Sequence, residues 1–372
     1  MKELIFLIYA FFFNLRALFL PNKRLVALVS MHNANFTDSL FEVEREMSKR
    51  KCGSKSYKFL KVSRPRLSNI GAAIKFCTVD AFRLGGASYI FLNDNFMPLG
   101  YLRPQASTKI VQLWHGQGVF KKFGLHINVD ENVRKRELSA DKKLTYVVCS
   151  SENVKDIYAT AFGVSPEKVI ATGTPNEDFY FRSNDLQMIR EDFDNRYESC
   201  KNKKLVLYAP TFRGNTEEDS LILENFDATR LRLALEKVWN SPVEVLVRLH
   251  PQVHTATTSI DAVNVTDYES INNLCLISDL LITDYSSVCM DFSLLKKPMI
   301  FYAYDLCKYK ADRDFYFDYE TYVPGPVAKN MDELIAIASE NNFAMEKNEK
   351  FRSFNFGAPD GHATEKLIDF LI

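Results

Sequence analysis

The sequence lacks the short motifs that identify several common classes of nucleotide-using and hydrolytic enzymes. No G-x-G-x-x-G fingerprint follows its first apolar segment, and neither G-x-x-x-x-G-K-[ST] nor a G-x-S-x-G nucleophile elbow occurs. These absences remove the main support for three functional classes: a nicotinamide dehydrogenase, a P-loop NTPase and an elbow-type serine hydrolase.

Paired cysteines and net charge are also missing. The 7 cysteines contain no C-x-x-C pair, which indicates reduced thiols in a cytosolic compartment. The 47 basic residues balance 47 acidic ones, so overall charge indicates no nucleic-acid partner. Short basic clusters suit either plain solvent exposure or local contacts with phosphate or anionic lipid. They are Lys49-Arg50-Lys51, Arg134-Lys135-Arg136 and Lys203-Lys204.

A hydrophobic run long enough to cross a bilayer is absent as well. The apolar stretch LIFLIYAFFF at residues 4–13 is shorter than the roughly 20 residues that span a membrane, and no cleavage site follows it. We expect residues 1–20 to form a helix on the membrane surface, with Arg16, Lys23 and Arg24 near the headgroups. A buried first helix of the N-terminal domain and a short spanning anchor are the alternatives.

What the chain does contain is alternation between apolar runs and helical stretches over 372 residues, enough for two domains. Apolar runs that stop at polar turns are typical of parallel strands covered on both faces. The pattern predicts an α/β protein with two doubly wound domains. The first series contains RLVALVS, YIFLND, KIVQLWHG and YVVCSS, and the second contains KLVLYAPTFRG, VEVLVRLHP, DLLITDYSS and PMIFYAYD. The predicted domains are 21–182 and 204–348, with a linker at 183–203 and a C-terminal helical segment at 349–372.

Candidate site residues follow the predicted strands, at the edge where open parallel sheets bind ligands. His115 ends one strand and is suited to act as a general base on a hydroxyl, and Gly116 and Gly118 permit a tight turn or a close ligand approach. A core histidine at a strand end is the alternative for His115.

In the second series, Thr211 and Arg213 end one strand and His250 ends the next. A guanidinium at a strand end suits bidentate binding of phosphate, and a surface ion pair is the alternative. His250 and His254 are four residues apart, but the zinc-protease glutamate is missing, so a metal site is not indicated. In TDYSS, Asp284, Ser286 and Ser287 precede a predicted helix and suit either an anion site or a simple helix cap.

Taken together, the motifs resemble the CDP-glycerol glycerophosphotransferases of teichoic acid and capsule synthesis. The resemblance rests on WHG with KKFG, SSENV with AFGV and G-T-P-x-x-D, YAPTFRG, RLHP and TDYSSVCMDFSLLKKPMIFYAYDLCKY. It runs in order from about residue 25 to about residue 340. The form QLWHGQGVFKKFG is most similar to the primase subgroup, which adds the first glycerol phosphate to a lipid-linked disaccharide. Related sequences often carry arginine after the proline of the G-x-P motif, where this chain has Asn176.

This resemblance implies a GT-B fold, two Rossmann-like domains facing each other across a cleft, and peripheral association with the cytoplasmic face of the cell membrane. It implies CDP-glycerol as donor, an undecaprenyl-diphosphate-linked disaccharide or similar lipid-linked acceptor, release of CMP, and no cofactor. By motif match, His115 and His250 are expected to be catalytic, whereas Thr211, Arg213, Asp284, Ser286 and Ser287 are expected at the donor phosphates. Gly116, Lys121 and Lys122 are expected on the acceptor side.

The sequence leaves two other functional classes open. One is a related GT-B transferase that uses another donor, such as CDP-ribitol or a nucleotide sugar. The other is a non-catalytic membrane-associated assembly protein, which the retention of both histidines and Arg213 disfavours. No D-x-D cluster dominates the sequence, so a required metal is not indicated.

Overall fold

The computed structural model describes residues 2–31, 36–65, 68–182, 186–213, 216–250, 253, 260–312 and 315–372. The chain folds into two compact units, Met1–Phe179 with Asn355–Ile372, and Tyr180–Phe354. The C-terminal segment therefore belongs to the unit in which the chain begins. The sequence alone did not place it.

A parallel sheet forms the centre of each unit, and two short strands, Lys51–Cys52 and Lys55–Ser56, form a separate antiparallel pair. The strands are β1 Asn22–Ser30, β2 Lys51–Cys52, β3 Lys55–Ser56, β4 Lys58–Ser63, β5 Ala87–Leu92, β6 Lys109–Gln112, β7 Tyr146–Val148, β8 Val169–Ile170, β9 Lys204–Ala209, β10 Val243–Val247, β11 Val263–Asn264, β12 Leu280–Thr283, β13 Met299–Tyr302 and β14 Val327–Ala328.

Helices surround both sheets. They are α1 Lys2–Ala17, α2 Ser39–Lys49, α3 Ile70–Lys75, α4 Ala81–Leu84, α5 Glu131–Asp141, α6 Lys155–Phe162, α7 Leu186–Arg196, α8 Thr216–Glu224, α9 Ala228–Trp239, α10 Ile271–Ile277, α11 Val288–Leu294, α12 Leu306–Asp312, α13 Tyr319–Tyr322, α14 Met331–Glu340, α15 Met345–Phe356 and α16 Ala363–Leu371.

The first sheet has the order β4-β1-β5-β6-β7-β8 in the described residues, and every neighbouring pair in it is parallel. The chain places β4 on one side of β1 and β5 on the other, so the direction of winding reverses between β1 and β5. A reversal of this kind opens a crevice beyond the carboxyl ends of the strands, where ligands bind in such sheets.

The second sheet has the order β11-β10-β9-β12-β13-β14 and is also parallel throughout its described pairs. Counted within the unit, this is the 3-2-1-4-5-6 order of the Rossmann fold. Its reversal lies between β9 and β12. The prediction of an α/β protein with two parallel-sheet domains is confirmed.

Burial explains why the strand sequences read as apolar runs. All 4 residues of β12 and all 5 of β10 are buried, as expected for strands with helices on both faces. In the first unit, Leu367, Ile368 and Leu371 of α16 join the same core cluster as strand residues such as Val26 and Val111. The C-terminal helix is therefore an integral layer of the first unit.

Helix α1 packs one face against the first unit and exposes the other. Tyr9, Phe13 and Ala17 on one face are at most 7% exposed. The opposite face is also apolar, and Leu4, Leu7 and Phe11 are 54–63% exposed. No helix among the described residues is both long and apolar enough to cross a bilayer. Helix α1 is therefore a surface helix with one packed and one exposed apolar face.

Candidate functional site

In the first unit, His115 lies beyond the carboxyl end of β6, next to the end of β5. Its Nδ1 is 3.7 Å from Oδ1 of Asp94, and its side chain is 34% exposed. This separation is an ionic contact and is too long for a hydrogen bond. The arrangement gives a solvent-accessible imidazole with a carboxylate beside one nitrogen, which is suited to orient the ring for proton transfer at the other.

The residue before His115 has an unusual backbone conformation. Trp114 has a φ of 59°, a left-handed value that bulky residues rarely adopt and that costs about 1–3 kcal/mol. The indole is 9% exposed and packs edge-on against Phe162, with ring centroids 5.3 Å apart. Its centroid is also 4.3 Å from the ring of His115. Packing of Trp114 thus holds a turn that directs His115 toward solvent.

The loop after His115 is tied down by a tyrosine from α6. The hydroxyl of Tyr158 lies 2.9 Å from the carbonyl oxygen of Gly116 and 3.1 Å from that of Gly118, and donates to them. Gly118 has a φ of 57°, so it is the glycine of the pair that the turn requires. The positive φ of Gly118 is the physical basis of the tight turn that the sequence predicted here.

Two further contacts hold the same loop. The backbone N–H of Val119 donates to Oδ1 of Asn355 at 3.0 Å, and the hydroxyl of Thr174 donates to Oε1 of Gln117. The predicted acceptor-side residues Lys121 and Lys122 follow and are half-buried. Burial, with Lys122 and Arg134 nearby, lowers the pKa of His126. The loop therefore carries a local concentration of positive charge.

In the second unit, the reversal between β9 and β12 brings together Thr211 and Asp284. The backbone N–H of Thr211 donates to Oδ1 of Asp284 at 2.8 Å, and Asp284 is 1% exposed. The hydroxyl of Thr211 is buried and has no hydrogen-bond partner among the residues that the structure describes. Asp284 thus joins the ends of two strands, and its carboxylate faces inward.

Arg213 occupies the centre of this strand edge. Its Nε lies 2.6 Å from Oδ2 of Asp305, and its Nη1 lies 2.8 Å from Oδ2 of Asp284. The second contact is an ion pair without hydrogen-bond alignment, because Asp284 Oδ2 has no hydrogen-bond partner among the described residues and the same Nη1 donates to the carbonyl of Thr211. The side chain of Arg213 is only 3% exposed.

Aromatic rings complete the surroundings of Arg213. The guanidinium carbon lies 5.2 Å from the ring centroid of Tyr285, whose hydroxyl donates to Asp305 at 2.8 Å. Burial alone would lower the pKa of Arg213, but the carboxylates of Asp284 and Asp305 outweigh it and raise that pKa. Burial also raises the pKa of Tyr285, and Asp305 adds to the effect. The guanidinium is cationic and fully neutralised.

The burial of Arg213 and Asp284 bears on their predicted role in donor binding, which stays a prediction. Arg213 and Asp284 were predicted to bind the donor phosphates, yet both side chains are buried and paired within the unit. A phosphate would have to displace a carboxylate to reach the guanidinium. In this structure the two residues position the strand-end loops, and they do not face solvent.

Unlike Thr211, which is 7% exposed, three other candidate residues of the second unit are accessible. His250 is exposed, and its ring centroid lies 4.7 Å from that of Phe212. Ser287 is exposed and Ser286 half-buried, directly before α11. The Oγ of Ser286 accepts from the N–H of Val288 at 3.4 Å. His254 lies outside the described residues.

Sequence reasoning missed three residues that shape these edges. Asp94, Tyr158 and Asp305 each contact a candidate residue or its loop from an element distant in sequence. Asp94 and Asp305 do end the quoted apolar runs YIFLND and PMIFYAYD. Their position after a predicted strand was the available signal.

Comparison with known proteins assigns the chain to a family. Residues 10–372 match the model for CDP-glycerol:poly(glycerophosphate) glycerophosphotransferases. The chain belongs to this family. The resemblance inferred from the motifs is confirmed at that level.

Curated relatives include enzymes named for ribitol phosphate and for glycerol phosphate. The teichoic acid poly(ribitol-phosphate) polymerase of Bacillus spizizenii is 36% identical over 299 residues, which are 78% of this chain and 48% of that protein. The teichoic acid glycerol-phosphate transferase of Staphylococcus aureus is 32% identical over 376 residues, 94% of this chain and 92% of the relative. The chain spans about half the length of the first curated relatives it matches.

Among solved structures, the wall teichoic acid polymerase TagF is similar in fold to this family member. The TM-score is 0.73 at 22% identity, with 100% of this chain and 94% of the TagF chain covered. At this identity the likeness concerns the fold, which is α/β with two parallel-sheet domains.

Proposed function

We propose that the protein transfers glycerol phosphate from CDP-glycerol to a hydroxyl group of a lipid-linked saccharide in teichoic acid or related cell-surface polymer synthesis. The observation that carries the proposal is an accessible His115 beside Asp94 at the carboxyl edge of a parallel sheet, in a member of this family. A buried, uncharged strand end would not have supported acid–base chemistry there.

In the proposed reaction the acceptor oxygen attacks the β-phosphorus of CDP-glycerol. A new P–O bond forms to the acceptor, the bond from the β-phosphorus to the bridging oxygen breaks, and CMP leaves with that oxygen. His115 takes the proton of the acceptor hydroxyl. Because phosphoryl transfer depends mainly on positioning and charge stabilisation, we assign donor binding to the second unit, through His250, Thr211, Ser286 and Ser287.

CDP-ribitol is the second candidate donor. Relatives named for ribitol phosphate are 36%, 35%, 34% and 32% identical to this chain, and the glycerol-phosphate transferase and a Bacillus subtilis glycerol-phosphate primase are 32% and 29% identical. The two donors share the cytidine diphosphate group and differ only in the polyol. The same strand-edge chemistry serves either one.

We also propose peripheral association with the cytoplasmic face of the cell membrane through α1. The exposed apolar face of this helix continues into Leu18, Phe19 and Leu20, which are 63–84% exposed. A surface helix whose exposed face is apolar is suited to lie in the interfacial region, with that face among the acyl chains. Replacing Leu7 and Phe11 by aspartate should abolish co-sedimentation with vesicles, and unchanged binding would contradict the proposal.

The decisive experiment incubates purified protein with CDP-glycerol or CDP-ribitol and a soluble analogue of a lipid-linked disaccharide. CMP release is quantified, and the product is weighed by mass spectrometry. The expected product gains one glycerol phosphate unit or a short series of them. A gain of ribitol phosphate alone supports the second donor. Absence of CMP release with both donors contradicts the transferase proposal and favours a non-catalytic role.

A further inference from the structure

The first unit has a cavity of about 550 Å³ at the amino ends of β1, β5 and β6. This is the sheet edge opposite to the one that holds His115. Its lining includes Lys23 on β1, Lys51 on β2 and Lys109 at the start of β6, together with Tyr57 and Tyr89. We refer to these five residues as the basic cavity. None of the proposed catalytic chemistry uses them.

The charge of the basic cavity is uncompensated. No aspartate or glutamate side chain lines it, although acidic and basic residues are equal in number in the whole sequence. Within the described part of the chain, none of the three ammonium groups forms an ion pair with a carboxylate, and Lys109 donates to the carbonyl oxygen of Leu371. Three cations that line one cavity, with no acidic side chain beside them, create a local preference for an anion.

The neighbouring basic residues show that this lack of partners is specific. Lys49 and Arg50 belong to the same run as Lys51, but both pair with Glu46, at 2.7 and 2.9 Å. Arg50 also pairs with Asp369 at 2.6 Å. The run therefore contains two residues paired with carboxylates, Lys49 at the end of α2 and Arg50 directly after it, and one cation that lines the cavity.

Part of the cavity lining is apolar, and we call it the rim. It consists of Leu20, Pro21 and Ile372, and Leu20 is 84% exposed. The adjacent Leu18 and Phe19 are 76% and 63% exposed. Cations and tyrosine rings beside an exposed apolar rim match a molecule with an anionic head and a hydrocarbon tail. A soluble phosphate would use the lysines and leave the rim in water.

We propose that the basic cavity binds the phosphate headgroup of an anionic phospholipid, with Leu18, Phe19 and Leu20 among the acyl chains beside it. This site rests on the membrane association proposed for α1 and goes beyond it, because it makes the association selective for lipid charge. It fixes how the amino edge of the first sheet meets the bilayer, whereas α1 alone supplies only apolar attachment.

The test compares binding of the full-length protein to vesicles of phosphatidylcholine alone and to vesicles that also contain phosphatidylglycerol. We expect the wild type to prefer the anionic vesicles. The variant Lys23→Gln/Lys51→Gln removes two exposed cations, and at about 1 kcal/mol for each lysine its affinity for anionic vesicles should fall roughly 30-fold. Lys23→Arg/Lys51→Arg should retain the preference because it keeps the charge.

The matched control is Lys55→Gln/Lys58→Gln, which removes two exposed lysines from β3 and β4, outside the cavity lining. Its affinity should change less than about threefold. An equal loss in both glutamine variants would indicate a diffuse electrostatic attraction and overturn the proposal. Equal binding of the wild type to both vesicle types would also overturn it, as would tight binding of soluble glycerol phosphate with no gain from vesicles.

The assay contains neither donor nor acceptor, so its outcome is independent of transferase activity. Failure of the α1 proposal would appear as loss of binding to both vesicle types. Failure of the basic cavity alone would appear as binding without a preference for phosphatidylglycerol.

Discussion

Asp178 and Ala363 are joined by a hydrogen bond across 185 positions of the chain: Oδ1 of Asp178 accepts from the backbone N–H of Ala363 at 2.8 Å. Oδ2 of the same carboxylate accepts from Thr364 at 2.9 Å. Asp178 precedes the point where the chain leaves the first unit, and α16 belongs to the segment that returns to it. A distant side chain thus supplies the N-terminal cap of the last helix, satisfying two donors that helices leave open.

Replacing Asp178 by alanine should therefore destabilise the first unit by about 1–2 kcal/mol, the usual range for loss of a helix cap. The carboxylate is buried, at 3% exposure, which favours the upper part of that range. Urea unfolding monitored by circular dichroism measures the loss. Asp369→Ala is the matched control, because Asp369 lies on the same helix and its side chain is 56% exposed. A similar loss in both variants would argue against a capping role.

His115→Ala should reduce kcat by about 10²–10⁴-fold, the usual contribution of a general base, while the donor still binds. Isothermal titration with CDP-glycerol measures that binding in the absence of acceptor. Asp94→Asn should cause a smaller loss of about 10-fold, because it perturbs the orientation of the ring and leaves the base in place. The control is His362→Ala, a histidine with a 64% exposed side chain in the same unit. Unchanged turnover of His115→Ala would remove the proposed base.

The strand ends were predictable from the sequence, because long apolar runs that stop at polar turns mark buried parallel strands. The two-residue strands β2, β3, β8, β11 and β14 were not predicted, since each is too short to produce a pattern. The six-residue β4, Lys58–Ser63, was also missed, because lysines interrupt its apolar residues. The order of the strands was also not predictable, because no local feature of the sequence indicates that β12 pairs with β9.

Side-chain pairing across the sheet was the least predictable feature. Asp305 is 92 positions from Arg213, so the sequence predicted a phosphate ligand at Arg213, with a surface ion pair as the alternative, and did not indicate a buried pair. Likewise, only the packing of α2 and α16 separates the paired Arg50 from the unpaired Lys51. Residue type and position after a strand identified the candidate region, and tertiary contacts decided what each side chain does there.

The buried cluster around Arg213 yields a stability prediction. Arg213→Met leaves two carboxylates without their cation, and breaking a buried pair in this way costs about 3–5 kcal/mol. The denaturation midpoint should fall sharply. Arg196→Met is the comparison, since the pair of Arg196 with Glu269 has side chains 41% and 82% exposed and contributes little. Equal midpoints for the two variants would contradict the buried arrangement of Arg213.

Glu177 yields a prediction about pH. Burial, only partly offset by the backbone N–H of Thr174, raises the pKa of Glu177 to about 8. An unfolded glutamate titrates near 4.3, so between roughly pH 4.3 and 8 the folded state holds a proton that the unfolded state has released. The stabilisation from this group is complete below that window and is lost as the pH rises through it.

Stability of the wild type should therefore fall with rising pH, by at most about 1.4 kcal/mol per pH unit from this group. Glu177→Gln keeps the shape of the neutral acid and cannot ionise, so its stability should depend less steeply on pH. Buried Asp141, whose pKa burial and Glu137 raise to about 8, retains its own dependence in both proteins. Urea unfolding across this range gives the two slopes, with Glu131→Gln, an exposed acid in the same unit, as control. Parallel slopes for the wild type and Glu177→Gln would show that Glu177 is already ionised in the folded protein.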